Sequence, residues 1–261
     1  MVVKQAVIIA GDKNSGKTMF ALRKIISENA KALIFSYDMQ TNPIISTFFQ
    51  DYADKLKVIE PTAKMDYNLE KYTISCSNVY DGILQTLKQI NPGEFDYVVH
   101  DGLQILSEIL EMKMRFVCGL DPFQGVANMG VWKFRKMYLR DIHQASYNNA
   151  NKGVMYTTYI EYIDTVIKDG QVLERKKQPR WLDQLESHSN VVLYTYSEQS
   201  NNGLKFLAEC AGSKIPDYQT GVIYDFTLPN PITPVGKRQL QQPKQLTQQY
   251  QPPVKSSGFD W

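Results

Sequence analysis

With 261 residues, 43% hydrophobic and 21% charged, and a formal net charge of +2, the chain is sized for one α/β domain with additions, or at most two small domains, around a sizeable core. No apolar run approaches the ~20 residues of a membrane helix, and the N-terminus enters a strand-like segment with no h-region or cleavage site, which argues against a signal peptide. Three widely spaced cysteines, Cys76, Cys118 and Cys210, fit neither a zinc pattern nor a disulfide framework; they read as reduced thiols, so the expected location is the cytoplasm, or the host cytoplasm for a viral protein.

Residues 5–10 carry the run Val-Ile-Ile-Ala and read as a buried first strand ending at Gly11. Residues 18–28 place Met19, Leu22 and Ile26 on one face, which is helical spacing. Residues 32–37 are a second buried strand, and residues 55–59 and 72–76 are weaker strand candidates. Residues 79–90 look helical and stop at Asn91-Pro92-Gly93. Residues 97–100 form another buried strand, closed by Asp101. Val131, Phe134, Tyr138, Ile142 and Ala145 mark an amphipathic helix, and residues 153–158 the next strand. Asp169-Gly170 supplies the positive φ of a tight hairpin turn. Residues 191–196 and 204–209 pair across Asn201-Asn202-Gly203, and residues 222–228 read as the last strand. This order implies an α/β fold: a mainly parallel sheet flanked by helices, with antiparallel strands at its C-terminal edge.

After Leu228 the composition changes. Residues 229–261 hold six of the twelve prolines, seven glutamines and a net charge of +3. Such a segment buries too little apolar surface to offset its ordering entropy. The chain therefore divides into a domain over 1–228 and a flexible Pro/Gln-rich tail over 229–261. The tail carries Phe259-Asp260-Trp261, two large aromatics flanking an acid. That pattern suits docking on a basic, apolar groove of a protein partner; packing back on its own domain is the other reading.

Gly11-Asp12-Lys13-Asn14-Ser15-Gly16-Lys17-Thr18 matches G-x-x-x-x-G-K-[ST] at every fixed position, with a buried strand before it and an amphipathic helix after it. Glycines let successive N–H groups point at phosphate oxygens, and the helix N-terminus adds partial positive charge. Lys17 is placed for the β- and γ-phosphates and Thr18 for Mg2+. The expected ligand is ATP with Mg2+. Asp101, 84 residues after Lys17, is the candidate carboxylate for the metal, beside the P-loop at the carboxyl end of a central strand; a turn-initiating Asp before Gly102 is the alternative. Asp38, past the second strand, is a candidate for polarising the attacking water, or an ordinary strand-end Asp. His100 has the look of a core residue.

In this order, a P-loop near the N-terminus, an acid after strand two, a strand ending in Asp101, a helix, a strand, a hairpin and a final strand pair resemble the RecA-type ATPase core. The chain is more closely similar to core-only RecA-like nucleotide-binding and recombination proteins of phages, archaeal viruses and archaea. The likeness spans about residues 3–228, and within it only the P-loop is highly specific. It implies Mg2+-dependent ATP hydrolysis, with catalytic roles for Lys17, Asp38, Asp101 and Lys214. Asp38 stands where the family has a Glu, and Lys214 would reach a neighbouring subunit's nucleotide. The resemblance also implies a homo-oligomeric ring or filament. Two DNA-facing loops fall at about residues 116–130 and 159–180. The second mixes Tyr159, Tyr162, Lys168, Arg175, Lys176, Lys177 and Arg180, which suits single-stranded DNA, with Glu161, Asp164, Asp169 and Glu174, which suits a solvated hairpin. Where recombinases carry a Gln before that loop, this chain has Thr157 and Thr158. The first strand starts almost at once, so no N-terminal polymerisation domain is expected, and full strand exchange is not.

The leading expectation is an ATPase acting in DNA recombination, annealing, repair or replication. A nucleotide kinase, an ATP-controlled assembly factor and a packaging or helicase motor are the alternatives. A kinase needs a lid that the sequence does not display, and a motor needs a clear arginine finger.

Overall fold

The structure is a computed structural model and describes residues 4–64, 66, 68–168, 171–180, 185, 188–201 and 203–237. Its first strand, β1 (Gln5–Gly11), is buried along its whole length. Ala6 and Ile8 enter one apolar cluster and Val7 and Ile9 the other. A strand covered on both faces needs such a continuous apolar run. The same division holds in β4 (Phe95–Asp101), where Val98 faces the first cluster and Tyr97 and Val99 the second. The result is a sheet between two helical layers.

The other strands are β2 (Ala32–Ser36), β3 (Leu56–Ile59), β5 (Ala150–Thr158), β6 (Ile160–Lys168), β7 (Gln171–Pro179), β8 (Val191–Ser200), β9 (Gly203–Ser213), β10 (Val222–Asp225) and β11 (Thr233–Lys237). Among the described residues the main sheet has nine strands, in the order β11-β10-β9-β8-β1-β5-β4-β2-β3. From β8 to β3 every pairing is parallel, and β8, β9, β10 and β11 pair antiparallel. The mainly parallel sheet with an antiparallel C-terminal edge is the one expected from the sequence. β6 and β7 form a separate antiparallel hairpin after β5.

Five α-helices cover the sheet among the described residues: α1 (Lys17–Ser27), α2 (Thr41–Phe48), α3 (Leu69–Gln89), α4 (Leu103–Val117) and α5 (Met129–Asn149). α1 supplies Phe20, Leu22 and Ile25 to one cluster. α3, α4 and α5 supply Tyr80, Leu106, Leu110, Leu139 and Ile142 to the other. No helix among the described residues is long and apolar enough to cross a membrane.

Two expectations need correction. Residues 72–76 are not a strand but part of α3. The Asn68 side chain caps that helix by accepting the N–H groups of Glu70 and Lys71 at 3.0 and 3.2 Å. Thr73, Cys76, Tyr80, Ile83 and Leu87 are then buried along one face, at spacings of three and four that a strand cannot use. Residues 222–228 are also not the last strand. β11 adds residues 233–237 of the expected tail to the sheet, opposite β10. It lies at the sheet edge, where Pro234 and its missing N–H are tolerated. Residues 238–261, with Phe259-Asp260-Trp261, lie outside the described residues, as do Asp169 and Gly170.

Candidate functional site

β1 delivers the chain to Gly11 at the carboxyl end of the parallel strands, where open α/β sheets hold ligands. There is no room for a side chain at Gly11. A Cβ would stand 2.1 Å from Ser15 Oγ and 2.3 Å from Thr195 Oγ1. Those two hydroxyls hydrogen-bond each other at 2.9 Å, tying the loop to β8. Asn14 and Gly16 take left-handed φ values of 63° and 81°, a region that glycine enters freely and asparagine more readily than most. The chain thereby turns back into α1, whose N-terminus carries no side-chain cap. Its first N–H groups and partial positive charge form an anion cradle.

Lys17 Nζ donates to the carbonyls of Gly11 at 3.1 Å and Asp12 at 2.7 Å. It also lies 4.5 Å from the centroid of the Tyr159 ring. Burial lowers its pKa, against the opposing charges of Asp101, Asp12 and Asp38. The lysine thus sits folded against its own loop, in a place where a phosphate oxygen would be a better partner than a carbonyl.

Asp101 ends β4, which is not adjacent to β1: β5 lies between them. Two strand spacings are roughly 10 Å, and hydroxyl groups close that gap. Thr18 Oγ1 lies 2.9 Å from both carboxylate oxygens of Asp101. Thr41 donates to Oδ2 at 2.8 Å and Thr157 to Oδ1 at 2.5 Å. Burial raises the Asp101 pKa, the Asp38 charge adds to the rise, and the hydrogen bonds from Thr157, Thr41 and Thr18 oppose it. Thr41 and Thr157 are partners that sequence reasoning missed. Neither belongs to a motif, and each reaches Asp101 from a separate element.

Asp38 follows β2 and lines the same cleft as Lys17, Thr18 and Asp101. Its Oδ1 accepts the N–H of Gln40 at 3.1 Å. The turn is tight enough to put Met39 at a φ of 58°. His100 belongs to the core. It is fully buried, its Nδ1 and Nε2 lie 2.8 Å from Tyr37 Oη and Ser146 Oγ, and its ring stacks on Phe35 and Tyr156. Burial first, and the neighbouring His143 second, push its pKa down to about 3.

The cleft holds about 600 Å³, within the range of small-molecule sites. Lys13, Asn14, Gly16, Lys17 and Thr18 form its polar floor, while Leu204, Phe206, Phe226 and Leu228 give it an apolar wall. The wall packs on the loop itself, since a Cβ on Gly16 would lie 2.9 Å from the Phe226 ring. Arg23 of α1 donates to the carbonyls of Phe226 and Asn230, which fixes the segment behind that wall. No group of three or more His, Cys, Asp or Glu side chains is placed to hold a metal among the described residues. One carboxylate beside one hydroxyl is instead the donor set of Mg2+, which takes its remaining ligands from phosphates and water.

Lys214 stands elsewhere. Gly11 is level with Thr195, and Thr195 with Ala208, whereas Lys214 follows Ser213 at the other end of β9. Its Nζ donates to the Ser189 carbonyl at 3.3 Å. Residues 116–130 span the end of α4 and the start of α5 and do not line the cleft, although Phe116, Phe123 and Met129 are exposed. Residues 159–180 are the β6–β7 hairpin with its flanks. Part of its positive charge is paired: Arg175 bonds Asp164 at 2.7 Å, and the Lys177 ammonium lies 4.4 Å from the Tyr194 ring centroid. Among the described residues of this segment, only Tyr159 lines the cleft.

No protein-family model matches the sequence, and no curated protein is significantly similar to it. Among solved structures, the chain is similar to a KaiC-like protein from the hyperthermophilic archaeon Pyrococcus horikoshii OT3, at 12% identity and a TM-score of 0.47, over 89% of this chain and 90% of that one.

Proposed function

We propose that this chain is a Mg2+-dependent ATPase acting on DNA in recombination, annealing, repair or replication. The observation that carries the nucleotide reading is the contact of Thr18 with the Asp101 carboxylate at 2.9 Å, beside an uncapped P-loop helix. The loop N–H groups from Gly11 to Thr18 would hold the phosphates. Lys17 would leave the Gly11 and Asp12 carbonyls to offset γ-phosphate charge. Thr18 and Asp101 would hold Mg2+, which supplies charge neutralisation on the phosphoryl group when bound. Asp38, which lines the cleft, would take a proton from, or orient, the attacking water. The Leu204, Phe206, Phe226 and Leu228 wall gives the base an apolar surface.

Assembly and DNA contact rest on the RecA-type resemblance. Lys214 would complete a neighbour's site in a ring or filament, and the β6–β7 hairpin would bind single-stranded DNA through Tyr162 and Lys176, both exposed. The test is phosphate release from ATP with Mg2+, with excess chelator, and with added single-stranded DNA. Chelator-sensitive release stimulated by DNA is the expected result. Release indifferent to DNA removes the DNA role. A folded protein that neither binds nor hydrolyses ATP removes the whole reading.

A further inference from the structure

Three consecutive residues, the last two of β5 and the one that follows it, touch three different parts of the molecule. Thr157 donates to Asp101. Thr158 Oγ1 donates to the carbonyl of Arg180, just beyond β7, at 3.2 Å. The Tyr159 ring covers the Lys17 ammonium at 4.5 Å. Thr157 and Tyr159 both line the cleft, as residues two apart in an extended run share a face. The Tyr159 carbonyl accepts the Arg180 N–H at 2.8 Å. The tyrosine is therefore bonded through its backbone to the root of the hairpin and through its ring to the P-loop lysine.

We infer that Tyr159 is a positioning residue that links occupancy of the nucleotide cleft to the β6–β7 hairpin, by holding the Lys17 ammonium until phosphate takes it. The inference rests on the nucleotide reading above. An ammonium has three N–H donors and no more. Here it spends two on the Gly11 and Asp12 carbonyls and turns toward the Tyr159 face. It cannot keep this arrangement and also serve a triphosphate. A full anionic charge outcompetes both a carbonyl dipole and a ring quadrupole, so phosphate draws the lysine away. The ring then loses its partner, and the strain of that change falls on the Tyr159–Arg180 backbone bond at the hairpin root. The return leg is also anchored on the core through Lys177, whose carbonyl accepts the Tyr194 hydroxyl at 3.1 Å and whose ammonium lies 4.4 Å from the Tyr194 ring centroid. Coupling of this kind is reciprocal. A ligand that draws the hairpin away from Lys17 raises phosphate affinity by the factor with which phosphate loosens the hairpin.

The sign of one substitution separates this role from a plain nucleotide contact. Tyr159→Ala removes the competitor for Lys17, so the variant is expected to bind Mg-ATP about two- to tenfold more tightly in calorimetric titration. Tyr159→Phe keeps the ring and stays within about twofold of the parent. Weaker binding by Tyr159→Ala overturns the inference, because the ring would then be a contact of the nucleotide. Amide exchange in residues 160–164 and 175–178 and at Arg180 is expected to quicken when ATP binds the parent; in Tyr159→Ala it is already fast and indifferent to ATP. A second measurement needs no nucleotide. In urea unfolding of the ligand-free protein, Lys17→Ala and Tyr159→Ala should be non-additive by about two- to tenfold in the unfolding constant. Additivity there overturns the pairing. Should the parent take up no ATP at all, the ATPase reading fails, and the ligand-free cycle still decides the lysine–tyrosine pair.

Discussion

Thr157 donates its hydroxyl proton to Asp101 at 2.5 Å while accepting the Gly102 N–H at 2.9 Å. A hydroxyl has one proton, so its orientation is fixed from both sides. With Thr18 and Thr41, three threonines from α1, α2 and β5 donate to one buried carboxylate. They stabilise the ionised form of Asp101, the form a metal ligand would need, against the burial that disfavours it.

Thr157→Val tests that support, because it keeps the shape and removes the hydroxyl. It strips Asp101 of its shortest hydrogen bond and leaves the Gly102 N–H without its acceptor. A loss of about 1–3 kcal/mol in stability is expected. Hydrolysis should fall by about tenfold or more, beyond any change in ATP affinity. Thr157→Ser, which restores the hydroxyl, should recover most of both. Equal behaviour of the valine variant and the parent in turnover and in urea unfolding would show that the network is idle.

Asp101→Asn and Asp38→Asn test the proposed metal holding and the proposed water activation separately. The asparagine amide at 101 turns an acceptor into a donor facing three hydroxyls. Turnover at saturating ATP should drop by about two orders of magnitude or more, with the affinity for ATP changed less. Asp38→Asn should slow turnover and leave ATP affinity within about threefold. Phosphate release and calorimetric titration on the same preparations check both. Parental turnover in Asp38→Asn returns that residue to an ordinary turn.

The P-loop was legible because its chemistry is local: eight successive residues between a buried strand and an amphipathic helix. Asp101 was legible as a strand end. Its neighbourhood was not, because β5 separates β4 from β1, and sheet order is not written in chain order. Tyr159 on Lys17 and the packing of the Phe206 and Phe226 rings against Gly16 are likewise contacts between segments more than a hundred residues apart. The strand over 72–76 was misread since Tyr72, Ile74 and Cys76 also alternate; the Asn68 cap and the burial of Tyr80 and Leu87 favour the helix. β11 was missed because its five residues are all exposed and include a proline, so composition offers no trace of a pairing made only by backbone.

His100 makes stability depend on pH. Its pKa is about 3 in the folded chain against 6.5 as the ordinary value. The unfolded chain therefore binds a proton that the folded chain refuses. The stabilisation is fully present above 6.5 and is lost as pH falls from 6.5 toward 3. At pH 5 the cost is about 2 kcal/mol relative to pH 8. His143, lowered to about 4, chiefly by burial and then by His188, adds to the loss in the same direction. Urea unfolding at both pH values should show the loss, and His100→Asn should shrink it. An unchanged pH slope in that variant assigns the dependence to other groups.

Lys214 lies at the wrong end of the sheet to serve its own cleft. From Ala208, level with Thr195 beside Gly11, β9 runs on through Ser213 to Lys214, a further six residues or roughly 20 Å. A catalytic role is therefore possible only toward another subunit, packed so that the lower end of one sheet meets the P-loop of the next. Lys214 donates to the Ser189 carbonyl, a neutral partner that a phosphate oxygen can replace at a small loss. Lys17→Ala subunits should be inactive for want of the P-loop cation, and Lys214→Ala subunits for want of the neighbour's. Mixed in equal amounts, the two variants should regain activity, since some interfaces then pair an intact Lys17 with an intact Lys214. Size measurement with and without Mg-ATP accompanies the mixing. Full activity in Lys214→Ala alone, or a parent that turns over ATP as a monomer at high concentration, removes the shared site and leaves the lysine a surface group.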